Sequence, residues 1–310
     1  MIMRCMESLL RHPVRVAALG SLIACAFLAA CGTGPDHYDG PDAPSFVKPG
    51  FPAGRTIVAV VLGGGGRRGF AHVGVFKALD AAGIRPDLVV GTSAGALVGG
   101  LYAAGLKGVE LEQLALNLSL RRFVTYVPLQ GMRLRGGVLA DFVNHHAGGR
   151  PIEKLPIVFA AVAARAADHA PAIFNRGNLG VAVRASAALV EADAAIRIKG
   201  IEYVDGEHAA IVPIRAAREL GASVVIAVDV SAHVENTPAS VPDEWRNRDR
   251  QRRALIDKEV PLADVYIHPD IGYYAGTSED YRRKVIAVTE ASVRAAVPRI
   301  RSALAAARAR

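Results

Sequence analysis

The chain has 310 residues, 51% hydrophobic and 21% charged, with a formal net charge of +8. That composition excludes a disordered or fibrous protein and suits one large α/β domain with a sizeable core. The positive charge favours anionic surfaces, but no recognisable nucleic-acid module accompanies it. Attraction to anionic lipid headgroups accounts for it equally well.

At the N-terminus, Arg4, Arg11 and Arg15 precede an apolar stretch running from Val16 to Ala30. A basic flank, a short apolar core and small residues make residues 1–30 a secretion signal, too short for a transmembrane helix. The stretch ends Leu28-Ala29-Ala30-Cys31, which resembles the lipobox of bacterial lipoproteins and implies lipidation of Cys31, the alternative being an ordinary signal peptide cut near Ala30 with Cys31 incidental. Cleavage there removes Cys5 and Cys25 and leaves no free thiol in the folded part, so an oxidising compartment poses no difficulty. Gly32 follows the cysteine, which by analogy favours the outer membrane facing the periplasm. Residues 31–54, rich in Gly, Pro and Asp, read as the lipidated cysteine and a flexible tether, leaving 55–310 as the folded domain.

Within that domain, apolar runs and helical spacing alternate. Strands are expected at 56–62 and 87–90, followed by helices at 70–82 and 96–104. Leu111, Leu114 and Leu118 suggest another helix, 125–137 reads as a loop, and 138–146 as a short helix. Strands follow at 157–164 and 172–175, a small-residue helix at 179–190 and a hairpin at 196–198 and 202–204. The pattern closes with a helix at 213–220, strands at 223–230 and 265–267, a helix at 279–296 and a last one begun by Pro298. The charged stretch 244–253, which holds the one tryptophan, Trp245, reads as a solvated helix face or as a membrane-facing patch.

Two turns stand out. Gly63-Gly64-Gly65-Gly66-Arg67-Arg68-Gly69 follows the first strand, and Gly91-Thr92-Ser93-Ala94-Gly95 follows the second. A side-chain-free run lets backbone N–H groups point at an anion. A serine between glycines two residues either side fits a sharp strand-to-helix turn that exposes its hydroxyl. Gly64, Gly66 and Gly69 also satisfy the GxGxxG spacing of dinucleotide-binding folds. Such folds need an acidic residue at the end of the second strand, where Gly91-Thr92-Ser93 stands instead. His72 lies among core-facing positions and reads as a packing residue. The pair His145-His146 lacks the carboxylate pattern of a metal site.

Together with Asp205-Gly206, the two turns resemble the patatin-like phospholipases, and the similarity runs from about Arg55 to Ser231, more weakly to about Leu304. The resemblance implies a three-layer α/β/α fold around a mostly parallel sheet and a Ser–Asp dyad. Ser93 would be the nucleophile and Asp205 the base, with Gly64, Gly65, Gly66 and Arg67 forming the oxyanion hole. Arg68, Gly69, Gly91, Gly95 and Gly206 would be structural members of the motifs. Of the histidines after Ser93, which are His145, His146, His169, His208, His233 and His268, the resemblance requires none. No metal or organic cofactor is needed for such chemistry.

This chain departs from the family pattern in three places. Glu207 follows Asp205-Gly206 where the family has Gly or Ala, and a carboxylate there raises the aspartate's pKa if the side chains converge. Ala164-Arg165 stand where Thr-Asp is usual, and Leu189–Asp193 lack the family's proline- and phenylalanine-bearing segment. The expected function is hydrolysis of phospholipid or lysophospholipid acyl esters at a membrane surface, through a lipid anchor in the bacterial envelope. The alternatives are a lipoprotein of this fold that binds lipid or a partner without turnover, or an esterase acting on small soluble esters.

Overall fold

Every residue of the strands Val58–Leu62, Leu88–Thr92 and Val224–Val228 is buried. Strands covered on both faces belong to a parallel sheet with helices above and below. The computed structural model, which describes residues 37–127, 131–188 and 195–309, has that architecture.

The strands are β1 (His37–Tyr38), β2 (Val58–Leu62), β3 (Leu88–Thr92), β4 (Val124–Val127), β5 (Gly131–Leu134) and β6 (Val158–Arg165). They continue with β7 (Pro171–Phe174), β8 (Ile196–Ile198), β9 (Ile201–Val204), β10 (Val224–Val228) and β11 (Val265–Ile267). The helices are α1 (His72–Ala81), α2 (Ala94–Ala103), α3 (Gly108–Asn117) and α4 (Gly136–His146). After them come α5 (Leu179–Ser186), α6 (Ile214–Glu219), α7 (Asp243–Glu259) and α8 (Glu279–Arg308).

Among the described residues, the main sheet runs β1-β8-β9-β6-β3-β2-β10-β11, with β7 also paired to β6. The central run from β11 through β10, β2 and β3 to β6 is parallel, and β7 and β9 join β6 antiparallel. Alternate side chains feed opposite cores. Val58, Val60 and Leu62 pack with Phe76 of α1 and Ile286 of α8, while Ala59 and Val61 face Ile214 of α6 and Ile256 of α7. The expected three-layer α/β/α fold is what the chain adopts. Because β2 and β3 are parallel neighbours, the loops leaving their C-terminal ends emerge side by side, where ligands bind in open α/β sheets.

Three expectations change. The tether expected over 31–54 does not extend freely from His37 onward. His37 and Tyr38 pair with Arg197 and Ile198 of β8, Ser45 bridges Arg176, and Ala43 is buried. An edge strand offers unpaired backbone groups, and this segment satisfies them. Within the loop expected at 125–137, β4 and β5 form an antiparallel hairpin, with Val124 opposite Leu134.

Pro298 does not begin a new helix but lies inside α8. The buried stripe Val285, Ile286, Thr289, Val293, Ala296 and Ile300 runs past it, and packing on both sides offsets the hydrogen bond a proline forfeits. The signal segment 1–30, Cys31 and Leu189–Asp193 lie outside the described residues. No described helix is long and apolar enough to cross a membrane.

Candidate active site

The two glycine turns are locked together by contacts that only small residues permit. A Cβ on Gly69 would collide with the Cβ of Ala94, so the first loop touches the residue after Ser93. A Cβ on Gly95 would strike the Leu62 and Gly63 carbonyl oxygens, and one on Gly91 the Gly95 carbonyl and Ala96 nitrogen. Replacing Gly95 by alanine therefore forces rigid backbone apart. The expected cost is about 1–3 kcal/mol, read as a lower melting midpoint. An unchanged midpoint would show that the turn can relax.

Ser93 sits at the entrance to α2 with φ 53° and ψ −120°, a backbone setting rare for any residue but glycine. This is the strained strand-to-helix turn expected of a nucleophile. Its amide donates to Ser186 Oγ at 2.9 Å, and Ser186 in turn donates to the Val162 carbonyl at 2.5 Å. Ser186, at the end of α5, thus braces the strained turn. Nothing in its sequence context marks it for this.

Ser93 Oγ donates to Asp205 Oδ2 at 2.7 Å. The other carboxylate oxygen accepts the Glu207 amide at 2.9 Å. Asp205 follows β9, and Gly206 beside it lies so close to β6 that a Cβ would meet the Val162 carbonyl. Ser93 and Asp205 are 4% and 1% exposed, so the pair is withdrawn from water. Burial, and next the negative charge of Glu207, push the Asp205 carboxyl up to about 8, against the pull of the Ser93 hydrogen bond. A group that ionises near neutrality, within 2.7 Å of a hydroxyl, is suited to taking its proton. The partner of Ser93 Oγ is this carboxylate and not a histidine. His72 is fully buried beneath the glycine loop, its Nε2 bonded to the Gly63 carbonyl at 2.8 Å, and burial pulls it down to about 4. It is the neutral packing residue expected.

In the glycine loop, Gly63 donates to Val228 O of β10 at 2.9 Å, continuing the sheet past the end of β2, and Gly64 donates to Ile211 O at 2.8 Å, in the loop before α6. Gly64, expected among the oxyanion donors, is thereby committed elsewhere. Gly65, Gly66 and Arg67 open a short 3-10 turn, Gly66–Ala71, where the first N–H groups have no partner within the turn. Gly66 has φ +52°, a setting that favours glycine. Arg68 is buried, and its Nη1 and Nη2 donate to the Gly272 and Tyr273 carbonyls, both at 2.6 Å. That fork ties the loop to the Gly272–Tyr273 backbone.

The departures from the family pattern fall into place differently. Arg165 points to the surface and pairs with Asp168 at 2.6 Å. Glu207 turns inward: its carboxylate fills the space a Cβ on Gly64 would need, and Arg252 Nη2 donates to it at 2.6 Å. Arg252 comes from α7, which is neither purely a solvated face nor only an exposed patch. Its Asp249 and Ile256 are buried while Trp245 remains exposed. Sequence spacing gave no sign that this helix reaches the site.

Asp229, His233 and His268 bring ligand-type atoms within 4.8 Å of one another, the one such grouping among the described residues. Asp229 accepts from Ser231 N, His233 Nε2 and Tyr266 OH at 2.8, 2.8 and 2.7 Å, and Arg253 bonds His233 Nδ1 at 2.9 Å. Burial opposes ionisation of Asp229, but the His233 and Tyr266 hydrogen bonds hold it well below the usual carboxylate range. These atoms are committed to one another and fix the chain at Ser231. His145 and His146 end α4, with His146 edge-on to Phe142.

Comparison with known proteins follows the same residues. An uncharacterized NTE family protein of Mycobacterium tuberculosis is 35% identical over 210 residues, covering 64% of this chain and 58% of the relative. The lysophospholipase nte1 of Emericella nidulans is 34% identical over 197 residues, 60% of this chain and 13% of that protein. The chain thus spans little more than half the length of the mycobacterial relative. In fold it is similar to VipD from Legionella pneumophila, with a TM-score of 0.57 at 14% identity, over 80% of this chain and 67% of that one. The family model of the patatin-like phospholipases matches residues 60–218, from inside β2 to the end of α6, taking in both glycine turns and Asp205. The chain belongs to the patatin-like phospholipase family.

Proposed function

We propose that the protein is a serine acyl-ester hydrolase acting on phospholipids or lysophospholipids. The observation that carries this is the 2.7 Å hydrogen bond from Ser93 Oγ to a buried Asp205, at a strained turn packed against a loop with free N–H groups. Asp205 takes the Ser93 proton as the oxygen attacks the ester carbonyl. The N–H groups of Gly65, Gly66 and Arg67 receive the developing oxyanion. Asp205 then returns the proton to the leaving alcohol, which departs and leaves an acyl-enzyme. It next activates a water to release the fatty acid and restore Ser93. The lysophospholipase relatives support a single-chain phospholipid as substrate.

We further propose that the chain is anchored in the bacterial envelope through a lipid on Cys31, on the strength of Leu28-Ala29-Ala30-Cys31. The second reading, a lipid-binding protein without turnover, is favoured by one observation: Glu207 covers Gly64 and raises Asp205. One experiment separates them. Full-length protein from membranes is treated with a fluorophosphonate and digested for mass spectrometry, alongside an assay of fatty-acid release from lysophosphatidylcholine. The hydrolase reading expects the probe on Ser93, a lipid on Cys31 and released fatty acid. Folded protein with unlabelled Ser93 and no release would establish the second reading, and an unmodified Cys31 would remove the anchor.

A further inference from the structure

Beside the dyad lies a cleft of about 490 Å³ whose wall includes Gly65, Gly66 and Arg67 of the glycine loop. Arg67 and Arg68 stand on one side, Arg248 and Arg252 of α7 on another, with Glu207 and Ser231 in its wall; Ser93 does not line it. Four guanidinium groups here face two carboxylates, Glu207 and Asp249. Arg68 has given its donors to backbone carbonyls, and Arg252 holds Glu207. Arg248 is poorly matched: it lies 3.5 Å from Asp249, whose other oxygen accepts Tyr273 OH at 2.7 Å, and its guanidinium sits over Trp245. Arg67 has no carboxylate partner among the described residues.

Two polar atoms in this wall are buried and lack any hydrogen-bond partner, Ser231 Oγ and Arg252 Nε. Ser231 is 2% exposed, and its position is fixed by the bond from its amide to Asp229. Buried donors without partners are rare in folded proteins, and two of those among the described residues belong to side chains that line this cation-rich cleft. An acceptor that suits the cleft is anionic and carries several oxygens, because guanidinium groups and a hydroxyl from different elements line it. The Glu207 carboxylate, already seated on Arg252, stands in for part of such a group.

We propose that this cleft is a phosphate subsite, in which a phosphate group is bound by Arg248, Arg252 and Ser231 and takes over Arg252 from Glu207. Assigning the phosphate to a lipid headgroup rests on the hydrolase reading, which sets the ester carbonyl at Ser93 one loop away. The anion site itself does not rest on it.

The test needs no turnover, so it stands or falls independently of hydrolysis. Full-length protein is titrated calorimetrically with sn-glycerol 3-phosphate and with inorganic phosphate, glycerol serving as the control. Arg248→Gln is expected to weaken binding about tenfold or more, the loss of one charged hydrogen-bonding partner. Glu207→Gln is expected to tighten it, because Arg252 is released, and a merely structural role for these residues would not produce opposite signs. Glycerol 3-phosphate bound more tightly than inorganic phosphate, and displaced by lysophosphatidylcholine, supports the headgroup source. Equal binding of the two supports a site for free phosphate. Absence of binding, or equal affinity in wild type and both variants with melting midpoints unchanged, overturns the proposal.

Discussion

On the proposed hydrolase reading, Ser93→Ala is expected to abolish fatty-acid release, and Asp205→Asn to come close to it. The 2.7 Å hydrogen bond between them makes the two residues a unit in the proposed mechanism. Removing either is expected to lower the rate by about 10⁴–10⁶-fold, and the double variant to be little worse than Ser93→Ala. Asparagine keeps the shape of the aspartate and can still hydrogen-bond, but it cannot carry the serine's proton away. Residual activity in either variant would reflect the oxyanion donors and binding alone. Single-turnover assays on lysophosphatidylcholine, with thermal melts to confirm folding, give the answer. Ser93→Ala within about tenfold of wild type would remove Ser93 from the chemistry.

What the sequence disclosed of this site depended on where the physics leaves a local trace. Gly69, Gly91 and Gly95 are each forced by a backbone or Cβ collision, so the turns carried a readable signature, and Ser93 could be placed from it. Asp205 was legible only through its neighbour Gly206, which the approach to β6 requires. The buried strands β2, β3, β6 and β10 announced themselves as unbroken apolar runs. Arg252 gave no such trace, because its role depends on α7 folding back over a loop forty-five positions away. Ser186 was equally silent, one small residue among many in α5. Gly64 was misassigned as an oxyanion donor because the resemblance fixes a residue's neighbourhood and not the acceptor that its N–H finds in Ile211. Pro298 was read as a helix start from its local preference, which the buried stripe of α8 overrides.

A second large effect lies in the pH dependence. In the proposed mechanism Asp205 must be ionised to act as base, and burial and Glu207 push it up to about 8, so kcat/KM should rise about tenfold per pH unit below that value and level off above it. Glu207→Gln removes the like charge and leaves Arg252 in place, so the limb moves toward acid and activity at pH 6 rises severalfold. Arg252→Gln removes an opposing charge, so the limb moves toward alkali. Profiles of kcat/KM on a neutral monoacylglycerol isolate this effect from any binding of phosphate. A limb that stays fixed in Glu207→Gln would assign the shift to burial alone, and one that moves toward alkali would contradict the arrangement.

The burial of Asp205 also sets folding against catalysis. In the unfolded chain its carboxyl reverts to an ordinary value near 3.8, while in the native protein it holds its proton to about 8. Between those limits the unfolded state binds fewer protons, so each step toward alkali favours unfolding. The stability tied to this proton is whole below about pH 4 and is spent progressively as pH climbs through 8. On the proposed mechanism, the pH that arms Ser93 is thus the one that loosens its scaffold. The hydrogen bonds that flank the pair, Ser93 N to Ser186 Oγ and the Arg68 fork to Gly272 and Tyr273, do not involve the Asp205 carboxylate and so do not depend on its charge.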